Sequence, residues 1–289
     1  MYTPKVILLG GDRREVELYR IWQNEGLDVQ MIGFEKSPQV NPEDYAKTAD
    51  LCSADVLITP LSGIKADGTV TALFTTDPPL QVLSYLEMPA KNYLLLTGSA
   101  APAIKASLPA RAQPVYTEDN TELALLNAIP TAEGAIQKAM ELSDITLHGS
   151  RALVIGLGRS GTALARMLQG IGVRVTASVR QNEKAALART MNINAVPATE
   201  IEDSIHKMDF IFNTAPASVL YGKILQRAKK SVIIIDLASA PGGTDFEAAN
   251  SLGIKAVLLP GLPGKAAPLT AARILSVVYK RMIMEKPNN

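Results

Sequence analysis

The chain has few of the residues on which several classes of protein depend. Its 289 residues include one cysteine, Cys52, which excludes an internal disulfide and a cysteine-based metal cluster. No apolar run has the length of a transmembrane helix, and the short apolar stretch near the N-terminus is typical of a strand rather than a signal peptide. The formal net charge of +1 predicts no nucleic-acid or membrane surface. We therefore expect a cytoplasmic protein in which Cys52 is an inert, buried thiol.

Histidine is almost as scarce. His148 precedes a predicted strand and His206 lies in a polar helical stretch, so we expect no histidine general base. Neither a metal-ligand spacing nor a Gly-x-Ser-x-Gly nucleophile motif occurs. The sequence therefore predicts no metal site.

The composition and patterning indicate a globular α/β protein. Hydrophobic residues make up 47% of the chain and charged residues 20%. Short apolar runs alternate with helical patterns, which predicts parallel sheets covered on both faces. We predict an α/β fold with two doubly wound, Rossmann-like domains and a cleft between them. The expected segments are an N-terminal domain for substrate or partner at 1–125, a connecting helix at 126–148, a dinucleotide-binding domain at 149–266, and a C-terminal helix at 267–289 that can return to the N-terminal domain.

The strongest motif is a glycine-rich turn between a strand and a helix. Arg151–Ile155 is a predicted buried strand, and Gly156-x-Gly158-x-x-Gly161 follows it directly. Gly156 makes the tight turn, Gly158 lets the backbone approach a pyrophosphate, and Gly161 allows the helix to pack closely on the strand. The helix N-terminus attracts the anion. Alone the motif is a weak signal, because it also suits an ordinary tight turn. Placed between a strand and a helix, it predicts dinucleotide binding.

The end of the next strand indicates which dinucleotide is bound. An NAD enzyme places Asp or Glu there to hold the ribose 2′-hydroxyl. Here Ser178 and Arg180 occupy the strand end, and no acid occurs until Glu183. A hydroxyl and a guanidinium suit a 2′-phosphate, and Arg159 and Lys184 can add positive charge. We therefore favour NADP over NAD, with a merely solvated Arg180 as the alternative.

The loops after later strands complete the predicted site, because ligands of open α/β sheets bind beyond the carboxyl ends of the strands. The predicted cofactor residues are Gly156, Gly158, Arg159, Ser160, Gly161, Ser178, Arg180, Asn213, Thr214, Pro216, Ala238, Gly261 and Leu262. Asp236 ends an apolar strand, and Ser239 follows it, so these two are the candidate catalytic residues. The alternative for Asp236 is a buried carboxylate that caps neighbouring backbone.

The first domain offers candidates for substrate binding. Arg13 follows the first strand at a helix start, where a guanidinium and the helix N-terminus both attract carboxylates. Ser62, Gly63 and Thr97 lie at neighbouring strand ends. Together they predict an anionic, dicarboxylic substrate, although Arg13 also suits a solvated helix start. The glycines after the first strand are not followed by the third glycine of the dinucleotide-binding motif, so we predict no second dinucleotide site there.

Two segments are predicted to be irregular. Residues 61–77 have weak patterning and are expected to form an exposed loop that can fold over a ligand. A long helical stretch at 118–143 contains Pro130, which should kink or restart the helix, with Thr131 capping the part after the proline.

Several of these segments resemble one known family. The chain resembles the A subunit of dipicolinate synthase, from endospore-forming bacteria, in GGDRRE after the first strand, PLSG at 60–63, IPTAEGAIQKAMELSDITLHGS at 129–150, GLGRSGTALAR at 156–166, DLASAPGGTDF at 236–246 and PGLPGKAAP at 260–268. The resemblance covers nearly the whole chain, and its last two segments are far more specific than the glycine motif. PTAEGAI and the glycine motif are also similar to alanine dehydrogenase, adenosylhomocysteinase and 2-hydroxyacid dehydrogenases.

The resemblance implies an NADP-dependent oxidoreductase that forms a hetero-oligomer with the flavoprotein-like B subunit of the synthase. It implies oxidation of dihydrodipicolinate, or of its hydrated precursor, to pyridine-2,6-dicarboxylate in the mother cell during sporulation. Aromatisation supplies driving force, so orientation, hydride acceptance and removal of one proton suffice. Two other hypotheses stay open. One is an NADP-linked dehydrogenase of a 2-hydroxy or amino acid, and the other is a non-catalytic NADP-binding scaffold.

Overall fold

A computed structural model describes residues 3–285. They form two compact units: a first domain, which runs to Leu123 and includes the segment from Ala267 onward, and a second domain, Ala124–Ala266. Within residues 3–285 no helix combines the length and hydropathy that a bilayer crossing needs. In the same range no three His, Cys, Asp or Glu side chains are grouped to hold a metal ion.

Strands and helices alternate through both domains. The strands are β1 Val6–Leu9, β2 Val29–Ile32, β3 Val56–Ile58, β4 Thr69–Val70, β5 Leu80–Gln81, β6 Tyr93–Thr97, β7 Ala112–Tyr116, β8 Arg151–Ile155, β9 Arg174–Val179, β10 Asn194–Pro197, β11 Phe210–Asn213, β12 Ile233–Asp236 and β13 Lys255–Leu258. The α-helices are α1 Arg13–Asn24, α2 Thr48–Ser53, α3 Leu83–Leu86, α4 Pro102–Ser107, α5 Thr121–Leu142, α6 Arg159–Gly170, α7 Asn182–Thr190, α8 Ile201–Ser204, α9 Gly222–Leu225, α10 Phe246–Ser251, α11 Leu262–Ala266 and α12 Pro268–Met284. Short 3₁₀ turns lie at Pro42–Asp44, Thr117–Asp119, Ala198–Glu200 and Ile205–Lys207.

The first domain is built on a parallel sheet with the strand order β2-β1-β3-β6-β7. Its strands bury both faces: Leu8 and Ile58 belong to one apolar cluster, and Ile7 and Leu57 to the other. This two-sided burial explains why these strands are continuous apolar runs rather than alternating ones. The order reverses between β1 and β3, which is the switch point where doubly wound sheets bind ligands.

The last helix of the chain belongs to the first domain. Helix α12 packs against α1, where the indole nitrogen of Trp22 donates a hydrogen bond of 2.8 Å to Ser276. Trp22 is the single tryptophan of the chain and is fully buried. Its fluorescence therefore reports on the packing of this domain alone.

The start of α1 is closed by the chain's own carboxylates. Asp12 accepts a hydrogen bond from the backbone N–H of Arg14 and pairs with its guanidinium, while Glu15 accepts from the backbone N–H of Asp12 at 2.7 Å. Glu15 is 3% exposed. Burial raises the pKa of Glu15 to about 7, although Arg14 opposes the shift. Since these carboxylates take the N–H groups of the helix start, little remains there to bind a phosphate.

The second domain holds a six-stranded parallel sheet in the order β10-β9-β8-β11-β12-β13. This is the classical dinucleotide-binding order, 3-2-1-4-5-6, and it reverses between β8 and β11. Val154 packs into the cluster on one face of the sheet and Leu153 into the cluster on the other. The prediction of an α/β fold with two doubly wound, Rossmann-like parallel sheets is confirmed.

Three local predictions are wrong. Residues 61–77 are not a bare loop, because β4 pairs with β5 and Val70 is buried in the core. Helix α5 does not restart at Pro130 but continues through it, and the hydroxyl of Thr131 donates to the carbonyl of Asn127 instead of capping a new helix. Cys52 is exposed, because the short helix α2 buries only Leu51.

We predict that Glu15 makes the first domain less stable as the pH rises. Its folded pKa of about 7 lies above the ordinary value of 4.5, so the folded state binds more protons between these limits. Unfolding free energy should fall by up to about 3 kcal/mol across that window and be fully retained below it. Urea unfolding followed by Trp22 fluorescence should show this slope, and Glu15→Gln should remove most of it. Glu17→Gln, two residues along the same helix and half-buried, is the control; an unaltered slope in Glu15→Gln would contradict the assignment.

Candidate functional site

A cavity of about 540 Å³ opens at the carboxyl ends of β8, β9 and β11. It lies at the switch point of the second sheet, between β8 and β11. Its lining residues are Ile155, Gly156, Leu157, Gly158, Ser178, Val179, Arg180, Gln181, Lys184, Ala198, Thr214, Ala215, Pro216 and Val219. Volume and position are those of a ligand site in an open α/β sheet.

The glycine turn is shaped by contacts that exclude side chains. Gly156 has a φ of +89°, in the left-handed region, and a Cβ on Gly161 would collide with the carbonyl oxygen of Gly156. The hydroxyl of Thr214 lies 2.9 Å from the carbonyl oxygen of Ile155 and 3.2 Å from that of Gly156. Thr214 therefore holds the turn from the neighbouring strand end, and the turn, α6 and β11 meet at one point.

The start of α6 has no side-chain cap, whereas the start of α1 is capped by Asp12 and Glu15. Helix α6 begins at Arg159, and Gly158 at its N-cap position makes no side-chain hydrogen bond. Apart from its chain neighbours and the backbone of α6, no atom of residues 3–285 lies within 4 Å of the place where a Cβ of Gly158 would be. In the part of the chain that the structure describes, no side chain caps the first N–H groups of α6, which leaves them open to an anion, and the partial charge of the helix end favours one.

The far end of the cavity carries an unpaired hydroxyl and positive charge. Ser178 ends β9, is 2% exposed, and its hydroxyl has no hydrogen-bond partner within residues 3–285. Arg180 and Lys184 line the same end, and no carboxylate is among the lining residues. A buried hydroxyl without a partner is costly unless a ligand supplies one.

Asp236 ties together the loops after β11 and β12. It is fully buried, and its two oxygens accept hydrogen bonds from the side chains of Asn213 and Thr244 and from the backbone N–H groups of Ala238 and Gly243, at 2.7 to 3.0 Å. Every favourable position on this carboxylate is therefore used by the protein. The structure supports the capping role for Asp236 rather than the catalytic one.

The cavity gathers part of the predicted cofactor set. Gly156, Gly158, Ser178, Arg180, Thr214 and Pro216 line it. The other predicted cofactor residues do not: Asn213 and Ala238 are buried around Asp236, Leu262 lies in the core, and Ser160, Gly161 and Gly261 lie outside the lining. Ser239, predicted as a catalytic residue, also lies outside the lining. Arg159 lines a different hollow because it shares a face of α6 with Thr162 and Arg166.

Some lining residues had no signal in the sequence. Ala198 and Val219 supply apolar wall from a 3₁₀ turn and a loop, and small apolar residues in loops carry no recognisable pattern. Gln181 directly follows Arg180 at the N-terminus of α7, so its position next to a predicted cofactor residue is the signal that points to it. Lys184, predicted to add positive charge for a 2′-phosphate, also lines the cavity.

The predicted substrate residues of the first domain separate into free and engaged groups. Arg13 is exposed at the first position of α1, whereas Thr97 is fully buried, accepts from the hydroxyl of Thr59 and donates to the carbonyl of Ser99. Gly63 is buried with a φ of +76°, and Ser62 is exposed and bonded to Thr71. Thr97 thus links the loops after β3 and β6 through hydrogen bonds. Of the predicted substrate residues, Arg13 and Ser62 remain as accessible polar groups.

Strand order, open glycine turn and cavity define the second domain as a dinucleotide-binding domain of the dehydrogenase type. The sequence profile "D-isomer specific 2-hydroxyacid dehydrogenase, NAD binding domain" matches residues 125–242. The profile of the N-terminal domain of the A subunit of dipicolinate synthase matches residues 5–116. The A subunit of dipicolinate synthase from Bacillus subtilis (strain 168) is 32% identical over 293 aligned residues, which cover 97% of this chain and 96% of that protein. The chain belongs to the family of dipicolinate synthase A subunits.

Solved structures agree with this assignment. The crystal structure of the A subunit of dipicolinate synthase from Bacillus halodurans superposes with a TM-score of 0.88 at 30% identity and covers 99% of this chain and 100% of that one. A transhydrogenase from Sinorhizobium meliloti shares the fold at 15% identity, with a TM-score of 0.66 over 96% of this chain and 94% of that one.

We predict that Asp236→Asn destabilises the second domain by about 2–4 kcal/mol, because an amide nitrogen would face groups that already donate. Thermal unfolding followed by circular dichroism measures the loss. Asp245→Asn is the matched control: Asp245 caps α10 through the N–H of Ala248, and Asn caps a helix equally well. Equal stability of Asp236→Asn and the unaltered chain would refute the structural role of this carboxylate.

Proposed function

We propose that the chain is the NADP-dependent redox subunit of a dipicolinate synthase in sporulating cells. The reaction is the oxidation of dihydrodipicolinate, formed from its hydrated precursor by loss of water, to pyridine-2,6-dicarboxylate. The dihydro ring loses two hydrogens, one as hydride and one as a proton, and becomes aromatic. A nicotinamide cofactor held by Gly156, Gly158, Ser178 and Arg180 would supply the acceptor for this hydride, with NADPH as the reduced product. Family membership supports the reaction class, and the cavity of the second domain supports the cofactor.

The choice of NADP rests on the end of the cavity formed by Ser178, Arg180 and Lys184. A carboxylate there would repel a 2′-phosphate and bind the free ribose hydroxyl of NAD. Instead, the site has an unpaired buried hydroxyl and two cations, which are suited to phosphate oxygens. The free N–H groups at the start of α6 are suited to the pyrophosphate. The residues present therefore fit NADP better than NAD.

Arg180→Ala should weaken NADP binding by about 10- to 100-fold and leave NAD binding nearly unchanged, because only NADP carries the 2′-phosphate. Isothermal titration of each cofactor into the full chain measures both dissociation constants. Arg174→Ala is the matched control, since Arg174 is also exposed but lies at the opposite end of β9. A loss shared equally by NADP and NAD would refute a 2′-phosphate contact.

Arg13 is the proposed anchor for a substrate carboxylate. Its neighbour Arg14 is buried and held by Asp12, so it is not available to a ligand. Arg13 is exposed, and no ion pair of Arg13 occurs within residues 3–285. A free guanidinium at a helix start can bind a carboxylate through two parallel hydrogen bonds. We assign the second carboxylate to Ser62, an exposed hydroxyl residue of the same domain whose side chain donates to Thr71.

Arg13→Ala should raise the KM for the dicarboxylate about tenfold or more, with the dissociation constant for NADP unchanged. Steady-state kinetics of the reconstituted synthase and cofactor titration give the two values. Arg20→Ala, on the same helix and paired with Glu17, should leave both unaltered. If NADP affinity fell instead, Arg13 would belong to the cofactor site.

The remaining parts of the proposal concern the proton and the partner. Asp236 is fully engaged by the protein, so we assign it no part in removing the ring proton. The relatives are named as one subunit of a synthase, and we propose that this chain likewise works with a second, flavoprotein-like B subunit.

A further inference from the structure

A second hollow lies beside the cofactor cavity, between the first turns of α5 and the outer face of α6. We call it the α5–α6 groove. Its volume is about 590 Å³, and it is lined by Leu125, Ala128, Ile129, Gly158, Arg159, Thr162, Ala163, Arg166, Met167 and Lys184. Only Gly158 and Lys184 also line the cofactor cavity.

The apolar side chains that line the α5–α6 groove, which we call its floor, are partly open to solvent. Leu125 is 52% exposed and Ile129 is 44% exposed, and they lie four residues apart on one face of α5. Ala163 and Met167 have the same spacing on α6, on the opposite side of the groove. Large apolar side chains that cluster at the surface mark sites of protein association.

The charged side chains that line the groove, which we call its rim, are all basic. Arg159, Arg166 and Lys184 line it, and there is no carboxylate among the lining residues. None of the three cations forms a salt bridge within residues 3–285. Three unpaired cations around an apolar floor are complementary to a partner that is apolar on one side and acidic at its edges.

We propose that the α5–α6 groove docks an acidic amphipathic helix of the partner subunit. This inference rests on the proposed function for the existence of that partner, while the chemistry of the helix is inferred from the groove. The lining stripe on α6 runs from residue 159 to 167, about 12 Å at 1.5 Å per residue, and accommodates two turns of a helix. Such helices bind by placing apolar residues in the groove and charges on its rim.

The position of the groove adds a functional consequence. Gly158 belongs to the glycine turn, and Lys184 lies beside Ser178 and Arg180 in the cofactor cavity, so the docked helix touches two residues that also line that cavity. Binding of the partner and binding of NADP are therefore coupled. By linkage, NADP changes the affinity for the partner by the same factor that the partner changes the affinity for NADP.

Isothermal titration of the purified full chain with the purified B subunit of a dipicolinate synthase measures the dissociation constant that tests the groove. Ile129→Glu and Arg166→Glu should each weaken binding by about 10- to 100-fold, because one places a charge on the apolar floor and the other reverses a rim charge. Met140→Glu is the matched control, since Met140 is 53% exposed on the same helix but outside the groove. All three variants should bind NADP as the unaltered chain does, which shows that the domain is folded.

The possible outcomes separate the groove from the proposed function. Partner binding that survives both groove variants, or that is lost equally in Met140→Glu, overturns the groove and leaves the synthase proposal intact. If Ile129→Glu changes the oligomeric state of the chain in the absence of the B subunit, a second copy of this chain occupies the groove and the docking proposal is overturned. If the partner fails to bind even the unaltered chain, the inference falls together with the proposed partnership.

Discussion

The close contact between Gly161 and the carbonyl of Gly156 is the constraint on which the rest of the second domain depends. Because no side chain stands between them, α6 packs closely on β8 and begins after the three residues that follow it, with no side-chain cap on its first N–H groups. Thr214 holds this turn from β11, across the point where the strand order reverses. The cofactor cavity results from that arrangement. In the first domain the equivalent helix start is filled by Asp12 and Glu15, so the same topology yields no open anion site there.

Acidic and basic side chains have different tasks in this chain. Buried carboxylates such as Glu15 and Asp236 accept hydrogen bonds from the backbone and side chains around them, and these bonds fix loops and helix starts. The cations Arg180, Lys184 and Arg166 lie at or near the surface of the second domain without ion-pair partners within residues 3–285. Ligand and partner recognition in our account therefore depends on unpaired positive charge, while the carboxylates preserve the shape of the site.

The sequence was most informative where strands are buried and least informative at edges and inside side-chain networks. The strand Arg151–Ile155 was predicted with the observed bounds, because continuous apolar runs mark buried parallel strands. Strand β7 was missed because Pro114 and partial exposure weaken its pattern, as expected of an edge strand. The roles of Asp236 and Thr97 depend on hydrogen-bond partners that are distant in sequence, so residue spacing did not reveal these roles. Which hollow the side chain of Arg159 lines depends on where α6 begins, and residue spacing did not reveal that either.

The most direct test of the account follows the absorbance of reduced nicotinamide during turnover. The full chain, with and without the B subunit, is supplied with freshly generated dihydrodipicolinate precursor and either NADP or NAD. We predict NADP-dependent reduction that requires the B subunit, with much weaker reduction of NAD. Turnover of a 2-hydroxy or amino acid by the chain alone, or a clear preference for NAD, would contradict the account and favour a different dehydrogenase.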